Sequence, residues 1–67
     1  MNTKIQRKAR TIKREIGVER ACEAAAFIAK RAGKQSKGKI IRSLKEKFEL
    51  TLEQAAACWY AWQTYQL

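Results

Sequence analysis

The chain has no proline, no histidine and no aspartate, and among its 67 residues it has only two cysteines, three glycines and one methionine. Each shortage excludes something. Without proline, nothing in the sequence has to break a helix. Without histidine or aspartate, and with cysteines on apolar faces, no nucleophile–base pair can be assembled, so no enzyme activity is expected. Cys22 and Cys58 are too few and too far apart for a disulfide framework or a zinc site. Their Ala-rich and aromatic surroundings read as core, reduced in a cytoplasm. No metal and no cofactor are expected. There is no secretory apolar segment, no apolar run of membrane-spanning length, and no alternating run long enough for a strand.

What remains reads as an all-α domain over 1–67, built from four short helices. A chain of this length buries only about 60% of its unfolded surface, so stability is marginal and a homodimer or bound partner can add to it. Ile5, Ala9, Ile12 and Ile16 fall at helical spacing on one narrow face, which predicts a basic helix over 3–15 with Asn2 or Thr3 as cap. Gly17 is expected to end it in the left-handed conformation. A second helix follows over 18–32, with Val18, Ala21, Cys22, Ala25, Ile28, Ala29 and Ala32 as its inner stripe, and Gly33 stops it. Phe27 falls on the opposite side. Two readings stay open: burial on both sides of the helix, or an exposed contact residue.

Residues 37–65 read as helix, short turn, helix. Ser36 is placed to cap the first and Thr51 the second, where "TLEQ" fits a capping box with Gln54 reaching back. Ile40, Ile41, Leu44 and Phe48 form the inner face of the third helix, joined by Leu50 after the turn. Leu52, Ala55, Ala56, Trp59 and Trp62 form that of the fourth. Gln54, Ala57, Ala61 and Thr64 then share its outer face, flanked by Tyr60 and Tyr65.

Charge is the strongest global signal. Fifteen Lys and Arg face six acids, for a net charge of +9. Residues 1–16 carry +5 and residues 33–50 carry +4, whereas residues 51–67 carry −1. Such a balance favours polyanions, above all nucleic acid. Lys4, Arg7, Lys8, Arg10, Lys13 and Arg14 on the first helix, with Lys34, Lys37, Lys39 and Arg42 around the start of the third, are the candidate phosphate contacts. Gln54 is the candidate base reader, through adenine. "GKQSKGKI" (33–40) has the glycine and lysine spacing of a phosphate-binding loop, but Ile40 stands where Ser or Thr must hold magnesium and no strand precedes it. The alternative is an inhibitor or adaptor that docks on an acidic protein face through Phe27, Ala57, Tyr60, Ala61 and Thr64. A membrane surface is a poor fit, because the first helix offers three Ile and one Ala but no Trp, Phe or Leu.

The run Ile41, Leu44, Phe48, Leu50, Thr51, Ala55 and Trp59 resembles short, mostly uncharacterised helix-turn-helix-like proteins of tailed bacteriophages. That resemblance implies a host context, a phage accessory or regulatory factor working in the host cytoplasm, while nucleic acid as partner rests on the charge. Those proteins commonly carry Gly in the turn, where this chain has Glu49. A left-handed Glu costs about 1 kcal/mol or more, which leaves the turn open to another geometry.

Overall fold

A computed structural model describes the backbone of residues 3–65 and the side chains of residues 5–64. Asn2 therefore lies outside the described residues, as do the side chains of Thr3, Lys4 and Tyr65. The chain is all-α: α1 is Thr3–Ile16, α2 Val18–Arg31, α3 Lys37–Lys47 and α4 Leu52–Tyr65. The helices pack within a radius of gyration of 10.4 Å. Helix α4 touches all three others, whereas α1 and α3 do not meet.

Local chemistry explains the boundaries. Ser36 Oγ accepts from the Lys39 amide at 3.3 Å, and this caps α3. At α4, Thr51 Oγ1 accepts from the Gln54 amide at 3.0 Å while Gln54 Oε1 accepts from the Thr51 amide at 3.1 Å. Both halves of the capping box are therefore closed, satisfying donors that helix geometry leaves orphaned.

The two hairpin turns differ from expectation. Gly17 is the single residue between α1 and α2. Its φ of 95° and ψ of 147° lie outside the left-handed helical well, in a region essentially limited to glycine. It both ends α1 and caps α2, donating to the Lys13 carbonyl at 2.9 Å and accepting from the Ala21 amide at 3.0 Å. Glu49 adopts a φ of 54°, the left-handed geometry that glycine would supply. The Leu50 amide then reaches the Lys45 carbonyl at 2.9 Å, closing a Schellman-type turn. The helix-turn-helix spacing is kept, and Glu49 bears the conformational cost.

The core is apolar throughout, with no buried polar or charged residue among those described. Ile12, Ile28, Ile40 and Leu44 are fully enclosed, each stabilising the fold by about 1.5–3 kcal/mol. Ala9, Ile16, Ala25, Ile41, Phe48, Leu50 and Ala55 are buried as their spacing predicts, and Ile5 packs at the margin.

Two helices depart from the predicted burial. In α2 the buried residues are Ala21, Ala24, Ala25, Phe27 and Ile28. Val18 is 63% exposed, Cys22 and Ala29 are exposed, and Ala32 is only half-buried, so none of the four belongs to the core. The large payload of Phe27, ~150–250 Å² for a buried aromatic, outweighs the smaller side chains on the predicted stripe. In α4, Ala57, Cys58 and Ala61 are wholly buried, while Trp59 and Trp62 sit half-buried at the rim and Leu52 is 62% exposed. Ala55 and Ala56 stay buried, so burial extends round α4 from part of the predicted stripe to the face expected to point outward. A helix with neighbours on three sides needs small residues where backbones approach. The indoles go to the edge, where they pack partly buried against the core.

Candidate nucleic-acid interface and a central groove

With the core face of α1 fixed, its charges sort themselves. Arg7, Arg10, Lys13 and Arg14 are exposed, and Arg7, Arg10 and Arg14 recur at three and four residues, forming one ridge opposite Ile12. Lys8 behaves differently. Its Nζ lies 2.9 Å from Glu53 Oε1 on α4 and 3.9 Å from Glu15 Oε1. The hydrogen bond to Glu53 raises the Lys8 pKa above its usual 10.5, and both carboxylates favour its charged form. The pair neutralises the one acid in the last quarter of the chain, so Glu53 no longer repels phosphate and Lys8 is not a free phosphate ligand.

At the entry to α3, Lys34, Lys39 and Arg42 are exposed. Lys37 is exposed as well, but its head group lies against α4. Its Nζ donates to the Tyr60 hydroxyl at 2.7 Å and stands 4.5 Å from the Tyr60 ring centroid and 4.9 Å from that of Trp59. The two rings meet edge to face at 5.4 Å. Lys37 therefore fastens α3 to α4 by hydrogen bond and cation–π contact, with its charge shared with an aromatic pair.

Other candidates are withdrawn from the surface. Gln54 is half-buried and its Oε1 is held by the capping box, so it cannot make the two-point contact that adenine readout needs without opening the cap. Ala57 and Ala61 have 0% exposure and present nothing to a groove or a protein partner. Phe27 is 8% exposed, which selects burial over display. It meets Phe48 edge to face at 6.1 Å, with the Arg31 guanidinium 3.8 Å above its ring and Lys47 Nζ at 5.3 Å. Nearby, the Arg20 guanidinium donates to the Phe48 carbonyl, binding α2 to the end of α3. Of the alternative docking set, only Thr64 is exposed, with Tyr60 half-buried beside it.

Spacing analysis missed one surface. A groove of about 770 Å³ opens between α1, α3 and the first turn of α4, lined by Ile5, Ile41, Leu52 and Ala56 with Arg42 and Glu53 at its rim. Leu52, an apolar residue directly after the Thr51 cap, is its signal in the sequence, and it faces outward rather than into the predicted inner stripe. Cys58 lies on the opposite, buried face of α4. Its thiol is pushed up to about 11 by burial and stays neutral at physiological pH. No cluster of three or more potential metal ligands exists among the described residues, and no helix there is long and apolar enough to cross a membrane.

The molecule thus belongs to the small all-α domains with a helix-turn-helix-like hairpin. Compared with known protein families, curated proteins and solved structures, the chain matches none.

Proposed function

We propose that this chain is a small nucleic-acid-binding protein that grips the phosphate backbone through α1 and the 34–42 segment. The observation that supports the reading best is the exposed ridge of Arg7, Arg10 and Arg14, joined by Lys13 and by Lys34, Lys39 and Arg42 on a separate helix entry. Two cationic elements held apart by α4 suit a polyanion with two rails of charge. With Ala57 and Ala61 in the core and Gln54 in its cap, α4 offers little for base readout, so binding is to shape and backbone rather than sequence. The phage accessory or regulatory role rests on the resemblance of the Ile41–Trp59 run alone.

Fluorescence anisotropy with labelled duplex DNA and duplex RNA tests this. Binding is expected at about 50 mM salt and weakens steeply as salt rises, with similar affinity for unrelated sequences. Replacing Arg7, Arg10 and Arg14 with Glu abolishes it while leaving the helical signal intact. Absence of binding to every duplex at low salt overturns the reading.

A further inference from the structure

We propose that the groove at the first turn of α4 is a docking site for an acidic amphipathic helix of a partner protein. Leu52 and Val18 are the large apolar side chains left in water among the described residues, and Leu52 stands at the lip of this groove. Leaving Leu52 62% exposed forgoes burial that an apolar partner side chain would recover. Ile5 and Ile41 form facing walls, and Ala56, one turn beyond Leu52, keeps the floor low. Gly38 lowers the α3 wall in the same way, since a Cβ there would meet nothing within 4 Å. At about 770 Å³ and open along its length, the groove suits a helix laid in it better than an enclosed small molecule. From Leu52 to Ala56 the groove takes in one turn of α4, about 6 Å, which takes apolar anchors at i and i+3 or i+4.

Charge selects the occupant. Arg42 is exposed at the rim and has no carboxylate partner among the described residues. The acid at the groove, Glu53, already faces Lys8 at 2.9 Å. A helix with Glu or Asp flanking its apolar stripe complements this rim. A second copy of the chain would bring another +9 against it. This site is distinct from the Arg7–Arg10–Arg14 ridge but shares Arg42 with the proposed phosphate contacts, so Leu52→Ser is the variant that separates the two readings.

The test uses the whole chain and two synthetic helical peptides of about four turns. Both carry Leu at i and i+4; one has Glu at the flanking positions and its twin has Lys. By titration calorimetry at near-physiological salt, the Glu peptide is expected to bind saturably and one to one, and the Lys twin not to bind. Leu52→Ser weakens the Glu peptide by about tenfold or more, while Arg42→Glu weakens it similarly and shifts preference to the Lys twin. Both replaced side chains are exposed, and melting curves verify that each variant is folded. Duplex binding is unchanged in Leu52→Ser, which separates this site from the phosphate ridge. The proposal is overturned if neither peptide saturates, if both bind equally, or if Leu52→Ser leaves binding unchanged. It is also overturned if sedimentation shows a dimer that Leu52→Ser dissolves, or if anionic phospholipid vesicles capture the native chain but not that variant.

Discussion

Helices α1 and α4 pack against each other, yet their sequences specify orientation in different ways. On α1 the apolar residues are few and confined to a single stripe, and charge fills the rest of the surface. Only one face can turn inward, so Ala9, Ile12 and Ile16 are buried where the spacing puts them. On α4 apolar residues occur on nearly every side, and hydrophobicity alone cannot choose among them. What chooses is size: Ala57, Cys58 and Ala61 let the central helix approach its neighbours, and the tryptophans are displaced to the rim. A large side chain anchors a helix only where there is room for it.

Substitutions can break this contrast. Ile12→Ala should cost the most, on the order of 3 kcal/mol, because the fully enclosed site on α1 leaves a cavity. Ala61→Leu should follow at about 1–3 kcal/mol by overpacking, read as a fall of several degrees in melting temperature for each kcal/mol. Trp59→Ala should cost less than full burial of a Trp implies, about 1–2 kcal/mol. If the tryptophan variant proves the most damaging and Ala61→Leu is neutral, α4 is held by its aromatics after all. Glu49→Gly should instead stabilise the fold by about 1 kcal/mol, because it relieves the left-handed strain at φ 54°; an unchanged melting point would show that the turn bears no such cost.

The cysteines sharpen the same comparison without mutation. Cys22, exposed on α2, should react with a thiol reagent in the native protein, whereas Cys58 should react only on unfolding. Cys58 also imposes a pH dependence. Its thiol ionises near 9.0 when unfolded and near 11 when folded, so between these values the unfolded state sheds the proton first. Stability is therefore whole below pH 9 and falls as pH rises toward 11. Denaturant titrations at pH 8 and pH 10 measure this, and equal midpoints would place Cys58 in contact with water.

The parts of the structure visible in the sequence are those set by neighbours a few residues away. Ser36 and Thr51 cap their helices because an oxygen three residues from an amide needs no tertiary help. The helix-turn-helix spacing survived for the same reason, even with Glu49 in place of glycine. The parts that could not be read depend on competition between faces. Phe27 was buried by Arg31, Lys47 and Phe48 closing over it, and none of those contacts follows from its position on α2. Gln54 and Lys8 were legible as polar and basic, but their engagement with Thr51 and Glu53 removes them from the free surface. The groove emerged only once α4 was known to turn Leu52 outward.

The rim position of Trp59 has a practical consequence. An indole half in water, with Tyr60 at its edge and the Lys37 ammonium 4.9 Å from its ring, has an emission tuned by whatever next displaces that water. The chain carries its own optical gauge where α3 meets α4. A ligand that covers this edge, whether a partner side chain or a phosphate drawn to the 34–42 segment, will shift the native fluorescence without a dye, whereas contact with the Arg7–Arg10–Arg14 ridge alone will leave the colour as it is.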